Sequence, residues 1–193
     1  MTWISRALGD FHVYGAACGA GQFVAVGARG NEMGKKIMAA GPDGEVWTVR
    51  YSENAKTDGT HLNQVAWFEA AGKFVAVGNH GAIFTSVDGN GWEKKIINRK
   101  ATYNFVACVG DTLVIVGDKG RALNSNDGTH FNVMRRADRG NPDLYGVAGD
   151  NAGTFVAVGE YGIVLTGQRG MSWESIDVGT TERFCGVTYR QVR

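Results

Sequence analysis

The apolar positions of this chain gather into short continuous runs, and four of them are near copies that end on glycine. They are FVAVG at 23–27, FVAVG at 74–78, LVIVG at 113–117 and FVAVG at 155–159. A run with no polar alternation is the mark of a strand covered on both faces. Around the second run the pattern predicts four strands: A over 63–68 (NQVAWF), B over 73–78 (KFVAVG), C over 82–86 (AIFTS) and D over 92–97 (WEKKII). Strand D alternates apolar and polar residues, as an outer strand with one wet face does. No stretch holds the 3.6-residue period long enough to predict a helix of more than two turns.

The glycines closing the runs, Gly27, Gly78, Gly117 and Gly159, are separated by 51, 39 and 42 residues. A unit of about 40–45 residues with four short strands is one propeller blade. The expected fold is therefore an all-β propeller occupying 1–193 as a single domain. Its four full four-stranded blades fall at about 12–51, 62–97, 103–136 and 143–178. At the ends, 2–7 (TWISRA) reads as a strand D with no strands before it, and 183–190 (RFCGVTYR) as a strand A with none after it. Together they predict a rudimentary fifth blade that closes the ring; the alternative is docking on a neighbouring copy. Closure is the favoured reading because it removes unpaired edges.

Composition narrows the function classes. With 20 basic and 19 acidic residues the formal charge is +1, which gives no electrostatic basis for nucleic-acid binding or for attraction to an anionic membrane. No apolar run approaches the ~18 residues that span a bilayer, and the first residues lack the pattern of a secretory signal. Synthesis in the cytoplasm without a signal peptide is thus expected, with a virion as one destination. Glycine is abundant, 29 of 193 residues, and points to many tight turns. Cys18, Cys108 and Cys185 match no metal or disulfide framework and are expected to be small buried thiols in strands.

The turn between strands C and D carries the clearest local chemistry. It reads GPDGEVW at 41–47, SVDGNGW at 86–92 and SNDGTHF at 125–131. Its expected structural residues are Asp43, Gly44, Trp47, Ser86, Asp88, Gly89, Trp92, Ser125, Asp127, Gly128 and Phe131. An Asp carboxylate folds back onto turn amides, and the following Gly takes the positive φ of a tight hairpin. The aromatic then packs between blades. In the fourth unit Gln168 stands where Asp would, with one extra residue before Gly170 and Trp173.

S-x-D-G-x-x-W resembles a variant of the Asp-box hairpin of sialidase-type propellers. The longer FVAVGxxGxIxxSxDGxxW pattern is similar to bacterial and phage repeat proteins of the BNR and photosystem-assembly-factor (Ycf48-like) type. The resemblance extends over nearly the whole chain and implies a propeller. It leaves function open, since such repeats occur in hydrolases, lectins, assembly factors and virion tail proteins.

No catalytic constellation emerges. GNEMGKK at 30–36 has glycines one residue too close for a phosphate loop and no Ser or Thr after the lysine. His12, His61, His80 and His130 are isolated and lack metal-ligand spacing. A sialidase would need an arginine triad and more blades than the chain can supply. The expectation is a non-enzyme with no cofactor and no metal. Strand alternation places the B–C turns and D–A loops on the face opposite the hairpins, and variable loops on a rigid scaffold are where recognition sits. The candidate binding residues there are Arg29, His80, Arg99, Lys119, Arg135 and Tyr161. The leading function is a structural or interaction module, a phage-like virion tail or adhesion component, binding a protein partner, a cell surface or other copies of itself. A lectin for surface glycans and a cytoplasmic assembly factor are the alternatives. If the hairpins are scaffold, Trp92→Ala will cost about 3–5 kcal/mol of stability and Asp88→Ala about 1 kcal/mol. A variant that melts normally yet loses a binding partner would reverse that assignment.

Overall fold

The computed structural model describes residues 11–29, 35–42, 44–52 and 61–190, with backbone alone at 29 and 35–40. Among them, four antiparallel sheets of four strands follow one another along the chain. The first holds β1 (Phe11–Gly19), β2 (Gln22–Arg29), β3 (Lys35–Ala40) and β4 (Trp47–Ser52). The second holds β5 (Leu62–Phe68), β6 (Lys73–Gly78), β7 (Ala82–Ser86) and β8 (Glu93–Ile96). The third holds β9 (Tyr103–Val109), β10 (Thr112–Gly117), β11 (Ala122–Ser125) and β12 (Asn132–Arg135). The fourth holds β13 (Leu144–Gly149), β14 (Thr154–Gly159), β15 (Val164–Gln168) and β16 (Glu174–Ile176). The innermost strands stand side by side, β1 by β5, β5 by β9 and β9 by β13, so the sheets radiate as the blades of a β-propeller. The helical residues described are three-residue 3-10 turns at Glu69–Ala71, Asp118–Gly120 and Glu160–Gly162.

The continuous apolar runs are explained by which way successive side chains point. On β6, Phe74 and Ala76 pack with Val24 and Val26 of the first sheet, whereas Val75 and Val77 pack with Leu113 and Ile115 of the third. The next joint repeats this, with Val114 and Val116 against Phe155 and Ala157. Every second residue faces the sheet before, and the others face the sheet after. The terminal glycine of each run answers a different need. A Cβ at Gly27, Gly78, Gly117 or Gly159 would collide with the carbonyl oxygen of His12, His61, Thr102 or Asp143, at the entrance to the paired inner strand. Only glycine lets the two backbones approach that closely.

The first sheet shows the value of a preceding neighbour. Leu62, Tyr103 and Leu144 are fully buried, but the equivalent Val13 is 45% exposed. Likewise Phe23 is 37% exposed where Phe74, Leu113 and Phe155 are fully buried. Among the described residues no sheet covers that side.

At the other flank the structure departs from expectation. Residues 183–190 form no ladder with any other described residue. They nevertheless run where an inner strand would, with Gly186 against the backbone of Gly146 and the Phe184 N–H donating to the Gly159 carbonyl at 2.9 Å. A strand needs a ladder partner, and the segment expected to supply one, 2–7, lies outside the described residues. The thiols also differ. Cys18 and Cys185 are exposed: among the described residues no sheet covers the first one on Cys18's side, and none pairs with the segment that carries Cys185. Cys108 is half-buried, and burial pushes its thiol pKa up to about 12.

The second and third hairpins between strands C and D are held by side-chain bonds to their own turn amides. In the second, Asp88 Oδ1 accepts from the amides of Asn90 (2.8 Å) and Gly91 (3.0 Å), and Ser86 Oγ accepts from Gly89 N (2.9 Å). In the third, Asp127 Oδ1 accepts from the amides of Thr129 and His130, both at 2.7 Å, and Ser125 Oγ accepts from Gly128 N (2.9 Å). Gly89 (φ 72°) and Gly128 (φ 65°) take the left-handed conformation. Trp47 and Trp92 donate from Nε1 to the carbonyls of Gly44 (2.8 Å) and Gly89 (3.0 Å). Trp173 reaches no such acceptor, and its buried Nε1 has no partner. The fourth hairpin has changed its path, with Arg169 (φ 51°) and Gly170 (φ 65°) both left-handed.

Two measurements check this account. Trp92→Phe and Trp173→Phe shrink the ring equally, but only the first loses a hydrogen bond. Trp92→Phe is therefore expected to be more destabilising by about 1 kcal/mol in urea unfolding. The second concerns acid. The amides of Asn90 and Gly91 hold the Asp88 carboxyl below the usual range. At Asp127 burial pushes upward but is outweighed by the His130 ring and the amides of His130 and Thr129, so its pKa is also lowered. Both folded values lie below the unfolded ones, so this stabilisation is complete above about pH 5 and is lost as pH falls below about 4. Asp88→Asn and Asp127→Asn are expected to flatten the decline in unfolding midpoint between pH 6 and pH 3; an undiminished decline would remove these carboxyls as its cause.

Candidate functional site

One face of the propeller is occupied by its own joints. The Gln22 side-chain amide donates to the Asp88 carbonyl, tying the first sheet to the second hairpin. Lys73 and Lys95 reach the third hairpin, donating to Thr129 Oγ1 (2.8 Å) and the Thr129 carbonyl (2.6 Å). Arg169 of the fourth hairpin pairs with Asp111 at 2.6 Å, and Asn124 Nδ2 donates to the Arg169 carbonyl at 3.2 Å. Two grooves of about 220 Å³ remain on this side, one within the second sheet and its hairpin, beside Lys73, and one between the second sheet and the third hairpin, beside Lys95. Of the turn-motif residues, Asp43 lies outside the described residues; the others sit in or beside these hairpins. Trp92, Phe131 and Trp173 pack against the three cores between sheets.

The opposite face carries the B–C turns. His80, Lys119 and Tyr161 occupy one equivalent position at their tips, all left-handed with φ of 58°, 53° and 52°. Each is followed by a glycine of positive φ, Gly81, Gly120 and Gly162. A side chain larger than Asn is strained in that region. All three are exposed, Tyr161 at 72%. Arg99 is exposed on the same side, in the loop after β8. The Arg29 side chain lies outside what is described. Arg135 serves the scaffold instead, its guanidinium donating to the Gly120 carbonyl (2.8 Å) and Asn141 Oδ1 (3.1 Å).

A second group on this face escaped the sequence reading. Each inner strand carries a β-bulge at the same place. Val13 pairs with Gly27 and Gly15 with Val26, leaving Tyr14 unpaired; the same skip occurs at Asn63, Asn104 and Tyr145. A bulge adds one residue and re-aims its side chain. Asn63 Nδ2 donates to the Tyr103 carbonyl and Asn104 Nδ2 to the Leu144 carbonyl, both at 2.9 Å, so each reaches across to the next inner strand. The only sequence signal is a fixed offset, two residues before Ala16, Val65, Val106 and Val147. The same offset from Val187 selects Cys185.

Asn104, Tyr145, Arg183 and Cys185 line an open cleft of about 340 Å³. Its polar groups form a chain. The Arg183 guanidinium lies 5.5 Å from the centre of the Tyr145 ring, in the same cleft as Cys185. The Tyr145 hydroxyl donates to Glu160 Oε1 at 2.9 Å, and the Asp143 amide donates to Glu160 Oε2 at 3.4 Å. Burial, then Glu160, raises the Tyr145 pKa and keeps the phenol protonated. The arrangement offers an amide, a thiol, a cation and an aromatic ring to a ligand. Among the described residues no group of three or more His, Cys, Asp or Glu can hold a metal ion, and no helix is long and apolar enough to cross a membrane.

No protein-family model matches the chain, and no curated protein matches it. Solved structures do. YCF48 bound to a D1 peptide is similar over 93% of this chain and 58% of its own, with TM-score 0.68 and 15% identity. The nidogen/laminin complex matches over 94% of this chain and 70% of its own, with TM-score 0.66 and 13% identity. Sqt1 of Chaetomium thermophilum, bound to the N-terminus of ribosomal protein L10, matches over 81% of this chain and 45% of its own, with TM-score 0.60 and 12% identity. This chain thus spans a little over half the length of the YCF48 chain. At these identities the likeness establishes the β-propeller fold and nothing finer.

Proposed function

We propose that this protein is a non-enzymatic interaction module that takes up a segment of a partner protein. The surface is the face bearing the B–C turns and the cleft at Asn104, Tyr145, Arg183 and Cys185. One observation carries the reading: side chains of different chemistry occupy equivalent, strained turn tips beside an open cleft, while the other face is tied into joints between sheets. Two solved structures of like fold hold peptide segments, the D1 peptide on YCF48 and the L10 N-terminus on Sqt1, which supports a protein partner here.

The finer form of the reading places the protein in a virion tail or adhesion device. A cytoplasmic assembly factor is the alternative, and copurification with particles or with a cellular complex separates them. A lectin would use the grooves at Lys73 and Lys95, and loss of glycan-array binding on Lys95→Ala would favour it.

Peptides selected from a display library on the immobilised protein provide the test, with Tyr161→Gly and Arg183→Glu as variants. Tyr161→Gly relieves a left-handed φ worth about 1 kcal/mol, so it should melt no lower than the parent while binding the selected peptides at least about tenfold more weakly. Arg183→Glu should weaken them similarly at unchanged melting temperature. Peptides indifferent to both changes would overturn the proposal.

A further inference from the structure

At each joint a large apolar residue of strand B fills a seat on the sheet before it. Phe155 is fully buried at the third joint, packed with Ala107, Val109 and Val114 of the third sheet and Val147 of its own. It also touches Gly149. One repeat further along, the equivalents of Ala107, Val109, Val114, Val147 and Gly149 are Ala148, Asp150, Val156, Val187 and Tyr189. All five line one cleft of about 130 Å³. Among the described residues nothing corresponds to Phe155 there. Val156 is accordingly only half-buried, whereas Val24, Val75 and Val114 are fully buried. The carboxylate of Asp150, the one acid in the seat, accepts from the amides of Ala152 (2.9 Å) and Thr154 (2.8 Å).

From this correspondence we infer a second binding site on the flank of the fourth sheet, separate from the cleft above. It accepts one extended strand of a partner protein, which lies beside 183–190 in the place of a strand B and seats a Phe or Leu in the cleft. Three things fix the occupant. The interface continues one repeated three times within the chain, and there the seated residues are Phe74, Leu113 and Phe155. An extended strand can pair with 183–190, which form no ladder with any described residue. The inner-strand place is already held by 183–190, so the first sheet of a second copy, which brings its own β1, does not fit.

The probe is a fluorescein-labelled peptide of sequence KFVAVG, copied from residues 73–78, titrated into the full chain. Saturable one-to-one binding by anisotropy is expected. Replacing the peptide's Phe by Ala should weaken it at least about tenfold, the equivalent of one buried phenyl ring. Val187→Asp in the protein should do the same, with the melting curve recorded alongside; the peptide substitution keeps the test valid should that variant fold poorly. Absence of saturable binding, or equal affinity for both peptides, would overturn the inference. So would concentration-dependent self-association in sedimentation that Val187→Asp abolishes, because the seat would then belong to a second copy.

Discussion

The whole structure depends on the packing of one sheet's strand B against the next. Each blade is apolar on both faces, so no blade is stable alone and each is completed by a neighbour. The fully buried side chains divide into three clusters, one per joint, rather than one central core. This is the nearest-neighbour logic of repeat proteins, in which stability accrues at interfaces. Val13 and Phe23 show its converse, since the same positions that are sealed in three repeats stand open in the first.

Two backbone devices shape the face that bears the B–C turns. Glycine at the end of strand B lets the chain entering the inner strand pass close by. The bulge that follows in that inner strand sets one residue per blade outside the ladder. The hairpins at the opposite end perform the complementary task. Their carboxylates are satisfied by their own turn amides, and their outer polar groups bind the blade before. One face is therefore cross-linked by its own side chains, with grooves left between them.

Much of the architecture was legible in the sequence because its cause is local. Strands β6 and β7 lie where the apolar runs place them, and the Asp88 and Asp127 turns form the bonds their residue types imply. What escaped depends on register or on distant partners. The period-two pattern of an inner strand does not reveal a bulge, so Asn63, Asn104 and Tyr145 went unread. Arg135 looked like a free loop cation because Asn141 and the Gly120 carbonyl come to it only through tertiary folding. Cys18 reads as a buried thiol wherever a covering sheet is assumed, and 183–190 reads as a strand wherever a ladder partner is assumed.

The repeated bulge bears on how such a protein diverges. The extra residue is excluded from the ladder, and at four successive inner strands it is Tyr, Asn, Asn and Tyr, while two positions further on the chain stays apolar as Ala16, Val65, Val106 and Val147. The side chain at this position can therefore differ between repeats while the interlocked interior keeps its pattern, although Asn63 and Asn104 also tie one inner strand to the next. Side-chain variation and foldability become separately heritable, and duplicating a unit adds a fresh variable position on a frame that already folds.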